Sequence, residues 1–295
     1  MGNGNDQAAS LRNMQSDENK KFDMQSKKAI SCISVASGKG GVGKTFISVN
    51  LAIAFGLMNR RVLLVDADLG LANADIILGV HPEYSMQDAI FKGKSLTEIT
   101  VRTEYGIDLI SASSGSREMV SMGAARMGIF IKDLISFASE YDVLIFDCAA
   151  GIDSNVTSFI AAAPQCAIIA NPQPTSIMDV YALSKLIHQD NLTENTGLIV
   201  NMVSDDNEGM KVARTLNFVS ERYLSKSMEL LGVIPYSPNV ERAMHSRKPM
   251  IIKYEDDIVS DRIKKTAKGI LQRQTALTSI GNINTDKLVN GFLNI

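Results

Sequence analysis

The stretch Gly38-Lys39-Gly40-Gly41-Val42-Gly43-Lys44-Thr45, set between an apolar run at residues 30–36 and a helically spaced run at 45–58, does most to limit the folds open to this chain. A short apolar run reads as a buried strand, and apolar positions spaced three and four apart read as a helix. Strand, loop and helix in that order form the first unit of a sheet whose strands run parallel, because parallel neighbours need a crossover connection. The loop satisfies Gly-x4-Gly-Lys-Thr at Gly38, Gly43, Lys44 and Thr45. Glycines let backbone N–H groups close around a phosphate, the lysine pairs with it, and the threonine hydroxyl holds Mg2+. The helix start behind the loop adds unpaired N–H groups and the positive end of a dipole. Gly40, Gly41 and Val42 complete the cradle. Lys39 sits in the glycine turn, too close to the backbone cradle to share the role of Lys44. Its charge is free to serve another subunit, the plain alternative being a solvated turn lysine.

Apolar runs recur at residues 61–66, 106–111, 142–147, 165–171, 197–202 and 230–235, separated by amphipathic segments such as 129–139, 177–188 and 210–224. This alternation predicts an α/β fold, a mainly parallel twisted sheet with helices on both faces, which a hairpin can interrupt. In the 295 residues, 45% are hydrophobic and 21% charged, enough apolar material for one large core at residues 29–274. Residues 1–28 and 275–295 are polar, or rich in Thr, Asn and Gly, and read as tails. A net charge of −2 speaks against a strongly basic DNA-binding face. Cys32, Cys148 and Cys166 are scattered without a Cys-x-x-Cys, so neither a disulfide framework nor a zinc site is indicated, and a reducing cytoplasm suits them. No apolar run approaches the length of a membrane span.

Carboxylates stand at the ends of two of these runs. Asp66 and Asp68, one residue apart at a strand end, point to one side, so that one can support Mg2+ through water while the other orients an attacking water. A pair of turn or helix-cap aspartates is the bland alternative. Val143-Leu144-Ile145-Phe146-Asp147 ends in a carboxylate suited to the Mg2+ shell. Asn201 directly follows the apolar residues 198–200 of another run, and its amide offers both a donor and an acceptor to a purine edge, although asparagine at a strand end is also a routine turn former. Cys148 reads as a small buried residue. His81, His188 and His245 lack metal-ligand spacing.

The loop with its second lysine resembles the deviant Walker A signature of the MinD, ParA and nitrogenase-iron-protein superfamily. The resemblance runs in ordered motifs over about residues 29–255 and implies an ATPase that binds ATP with Mg2+ and dimerises around two nucleotides. It implies that Lys39 reaches the partner's phosphates and that Lys44 and Asp68 complete the catalytic set, Asp68 by positioning water. Asp66 and Asp147 fall nearest the metal with Thr45. Cys148-Ala149-Ala150-Gly151 resembles the family's second switch, in which backbone near Gly151 senses the γ-phosphate, with Ala149 where proline is frequent in MinD. Asn201 takes the position of the base contact, and Pro235 packs against the ring. Phe46 stands where the family carries a small polar residue and alters the fit near the nucleotide. A DNA- or cargo-partitioning ATPase of the ParA type shares this core, and a binding module merely gated by nucleotide would share the loop. The neutral composition makes DNA the weaker partner.

The tails carry two further patterns. Asp6-Gln7-Ala8-Ala9-Ser10-Leu11-Arg12 resembles, at all five fixed positions, the Asp-Gln-Ala-x-x-Leu-Arg activator motif of the FlhG family of flagellar-number regulators, also called FleN or YlxH. That resemblance implies stimulation of the flagellar signal-recognition-type GTPase FlhF, with Asp6 opening the motif, Gln7 and Arg12 as polar contacts and Leu11 as the anchor. It also implies regulation of flagellar number and placement, with flagellar switch-complex proteins as further partners. Near the other end, Leu288, Phe292 and Ile295 share one face of a helical projection, with Val289 and Leu293 beside them. This stripe resembles a membrane-targeting tip, and it suits equally a segment packed back on the core. The first reading implies a cytoplasmic protein held peripherally at the inner face of the cell membrane.

Overall fold

A computed structural model describes residues 30–112, 117–120, 124–193 and 195–278. Both tail motifs, Asp6 to Arg12 and Leu288 to Leu293, lie outside the described residues. Among the described residues eight strands form one sheet: β1 (Ser31–Ser37), β2 (Val62–Ala67), β3 (Thr100–Arg102), β4 (Asp108–Ile110), β5 (Val143–Ala150), β6 (Gln165–Ala170), β7 (Asn195–Val203) and β8 (Glu229–Pro235). Their order across the sheet is β3-β4-β2-β5-β1-β6-β7-β8. All pairings are parallel except β3 with β4.

The seven apolar runs of the sequence supply β1, β2 and β4 to β8. The strand they do not announce is β3. Thr100-Val101-Arg102 is too short and too polar to show a period, and it pairs antiparallel at the sheet edge, where one face and one ladder side meet solvent. The turn that returns the chain to β4 uses Gly106 with φ 75°.

Alternation along β1 divides the core into two layers. Ile33 and Val35 face a layer built with the helices Lys44–Leu57, Met250–Lys253 and Ile258–Thr278. Cys32 and Ala36 face the other, with the helices Ala124–Phe137, Ser154–Ala161, Pro174–Gln189 and Asp206–Leu224. The helix Lys44–Leu57 is apolar on nearly every side and buried from Phe46 to Phe55. It can be so because the sheet covers one side and the helix Ile258–Thr278 another. Asn50 ties this packing together: its amide nitrogen donates to the Phe46 carbonyl at 2.8 Å and its oxygen accepts the Ile251 N–H at 3.0 Å. A buried amide that meets both partners costs little and fixes one register of packing.

In chain order the strands move out from β1 on one side to β2, β3 and β4, return to β5, and then cross to β6, β7 and β8 on the other. The carboxyl ends of β1, β5 and β6 therefore border a crevice at a topological switch point, where open α/β sheets bind ligands.

Candidate nucleotide site

The loop after β1 opens on this crevice. Gly43 is the residue before the helix, with φ 87°, and a Cβ there would overlap the Asn201 amide nitrogen. A Cβ on Gly38 would strike the Asp179 carbonyl of the helix Pro174–Gln189. The first and last fixed glycines of the loop are thus required by close approach of the elements on either side, and Gly43 also by its left-handed backbone.

At the centre of the site Lys44 Nζ donates to Asp147 Oδ1 at 2.7 Å, and both residues are buried. Burial opposes the Lys44 charge, but the Asp147 carboxylate outweighs it and raises the proton affinity of the amine above its usual value. Ser48 Oγ, one helical turn beyond Lys44, donates to the same Asp147 oxygen at 2.8 Å. Asp147 Oδ2 is buried and has no hydrogen-bond partner among the described residues. The Thr45 hydroxyl lies 3.4 Å from Lys44 Nζ.

Asp66 lies beside Asp147 in the β2–β5 ladder. Its Oδ1 accepts the Asp68 N–H at 3.1 Å, and its Oδ2 accepts those of Asn73 and Ala74 at 2.9 Å each. Burial, and then the neighbouring Asp147 carboxylate, push its pKa up to about 7 against the effect of those bonds. Both oxygens being engaged by backbone, Asp66 orders the loop at 66–74 in this structure. Asp68, by contrast, is partly exposed and closes a turn, its Oδ1 accepting the N–H groups of Gly70 at 3.3 Å and Leu71 at 3.0 Å. The Gly151 N–H donates to the Ser37 carbonyl at 2.9 Å, linking the end of β5 to the loop after β1.

Asn201 Nδ2 donates to the Val42 carbonyl at 2.9 Å. This bond uses one of the two amide N–H groups on the loop and leaves the other N–H and Oδ1 to meet a ligand. The register of β7 against β8 shifts between Asn201 and Val203, and Met202 at the shift has φ 60°. Pro235 ends β8 opposite Val203. Phe46 buries its ring in the same layer as Val35 and Ile47, so what it offers the site is its backbone. Lys39 stands apart from all of these: it is exposed, and its Nζ donates to the Thr175 hydroxyl at 3.1 Å.

The structure thus gathers Lys44, Thr45, Asp66, Asp147, Gly151 and Asn201 around one loop, with Asp68 and Lys39 at its rim. Two of the partners carry no signal in the sequence. Ser48 is a lone serine in an apolar helix, visible only through its one-turn spacing from Lys44. Thr175 lies in the first turn of the helix Pro174–Gln189, where nothing local points to Lys39. Cys32, Cys148 and Cys166 are buried thiols whose pKa values burial raises, in line with a packing role.

The CobQ/CobB/MinD/ParA nucleotide-binding domain model matches residues 33–250. The chain belongs to this family. Its members are ATPases that bind ATP with Mg2+, and so is this chain. Among curated relatives it is similar to the antiactivator FleN of Pseudomonas aeruginosa, with 35% identity over 247 residues covering 84% of this chain and 88% of the relative. It is similar also to the flagellum site-determining protein YlxH of Helicobacter pylori, with 33% identity over 266 residues and 89% of each chain. The septum site-determining protein MinD of Pyrococcus horikoshii, solved as a complex with Mg-ADP, has the same fold, with a TM-score of 0.71 and 22% identity over 84% of this chain and 98% of that one.

The residues present fit the metal that this family uses. Among the described residues no cluster of three or more His, Cys, Asp or Glu could hold a metal ion. Mg2+ asks for no such cage, since it keeps several waters and shares phosphate oxygens. Thr45 would hold it directly and Asp147 through water, the unpartnered Asp147 Oδ2 being a free acceptor. When bound it neutralises charge on the phosphate oxygens. None of the described helices is long and apolar enough to cross a membrane.

Proposed function

We propose that this ATPase is an ATP-dependent dimerising switch that regulates flagellar number and placement. The observation that carries the reading is the separation of the two loop lysines: Lys44 is buried on Asp147, whereas Lys39 is exposed at the rim, with the Thr175 hydroxyl as its hydrogen-bond partner. Two lysines of one phosphate loop in such different settings suit different phosphates, one of its own site and one of a partner's. Likeness to FleN and YlxH supports the flagellar role.

In this reading Lys44 leaves Asp147 for the phosphates of the incoming nucleotide, while Thr45, Asp66 and Asp147 serve the metal. Asp68 exchanges the N–H groups of its turn for the attacking water. Lys39 leaves Thr175 and crosses the dimer interface, where a charge supplied in trans stabilises the transition state. Gly151 relays the presence of the γ-phosphate through the backbone it shares with Ser37. Asn201 meets the base with Oδ1, an acceptor that matches the 6-amino group of adenine and repels the 6-oxo group of guanine. Pro235 packs against the ring. The motif at Asp6, Gln7, Leu11 and Arg12 stimulates the GTPase FlhF, and Leu288, Val289, Phe292 and Leu293 give each subunit a weak membrane anchor, so that the dimer, offering two, is retained.

Two experiments test this reading. An Asp68→Ala protein should bind ATP and accumulate as a dimer in light scattering; a monomer with normal turnover would overturn the cross-subunit mechanism. Deleting residues 1–20 should abolish stimulation of the flagellar GTPase while calorimetry still finds ATP bound. Unchanged stimulation rejects the activator assignment.

A further inference from the structure

Asp147 holds two donors from one helix. Lys44 Nζ and Ser48 Oγ, four residues apart and so on the same helical face, meet the same oxygen at 2.7 and 2.8 Å. The hydroxyl has one proton and two nearby acceptors, the other being the Lys44 carbonyl at 3.1 Å. The shorter and charged acceptor takes it, because a carboxylate strengthens the bond it receives. Ser48 itself is fully buried, so its hydroxyl cannot turn to bulk solvent.

From this geometry we infer that Ser48 is a positioning residue for the metal-serving carboxylate. The inference rests on the assignment of Lys44 to phosphate and Asp147 to the Mg2+ shell. Once the Lys44 ammonium turns to phosphate, Asp147 Oδ1 keeps one side-chain donor, Ser48. That bond holds the carboxylate plane, and with it the direction in which Oδ2 is presented to a metal-bound water. Groups that orient a metal's ligands commonly matter about 10- to 100-fold in metal affinity. A serine does this with a neutral donor, which restrains Asp147 without competing for the positive charge its other oxygen serves.

The test compares Ser48→Ala and Ser48→Thr with the unaltered protein, measuring ADP binding by calorimetry across a Mg2+ titration and in EDTA. Ser48→Ala should leave ADP affinity in EDTA unchanged and raise the Mg2+ concentration for half-maximal enhancement about 10-fold or more. Ser48→Thr, which keeps the hydroxyl, should restore much of the wild-type Mg2+ response. An unchanged Mg2+ midpoint in Ser48→Ala overturns the inference. So does an equal loss of ADP affinity with and without Mg2+, since that is the mark of a merely structural serine. Absence of any Mg2+-enhanced binding in the unaltered protein would instead refute the nucleotide assignment on which the inference stands.

Discussion

A Lys44→Ala protein is expected to lose nucleotide turnover by about 100-fold or more, the scale for removing even one neutral donor from a developing charge, and also to lose stability. The second effect follows from the buried pair. Lys44 is 7% exposed and Asp147 is fully buried, so deleting the ammonium strands a carboxylate in the core with the Ser48 hydroxyl as its hydrogen-bond partner. Breaking a buried ion pair from one side costs about 3–5 kcal/mol. Adding Asp147→Asn removes the stranded charge, so the double variant should recover most of the lost stability in urea denaturation while its turnover stays absent. If Lys44→Ala unfolds at the wild-type urea concentration, the pair does not form in solution. If the double variant turns over ATP, Lys44 is not the phosphate lysine.

For Lys39→Ala the expected pattern is the reverse. Its side chain is exposed and its partner is a threonine hydroxyl on the surface, so its loss should leave stability and ADP binding nearly untouched. Turnover should fall by about 10³ to 10⁵, the range for a cation supplied in trans to phosphoryl transfer. Mixing separates trans from cis action. Lys39→Ala and Asp68→Ala should each be inactive alone, but their mixed dimer would contain one site with its own Asp68 and a Lys39 from the partner. Random pairing makes half the dimers mixed, so an equal mixture should recover roughly a quarter of wild-type turnover. A mixture as inactive as its components would place Lys39 in its own subunit's site.

These two lysines also mark how far the site is legible in the sequence. Both stand in one continuous motif, and the strand and helix beside it follow from local apolar periodicity, which needs no tertiary information. The same holds for β2, β5 and β7, where continuous apolar runs reflect burial on both faces of a parallel sheet and whose carboxyl-terminal halves carry Asp66, Asp147 and Asn201. The edge strand β3 is not legible, since three residues show no period and their pairing depends on β4. Nor is the state of each side chain. The sequence places Asp66 near the metal but does not show that its oxygens also accept three backbone N–H groups, an arrangement that depends on how the loop to Ala74 folds back.

The sequence by itself determined the phosphate loop, the parallel α/β architecture and the order of the carboxylates along the chain, because glycine backbone freedom and the spacing of apolar residues act within a few positions of one another. Only the tertiary structure decided which partner each polar group takes. Lys44 and Ser48 meet Asp147 across about a hundred residues, and Asn201 meets Val42 across 159. Such choices are made where a buried donor must find an acceptor among whatever the packed sheet brings near, and distance along the chain does not record that.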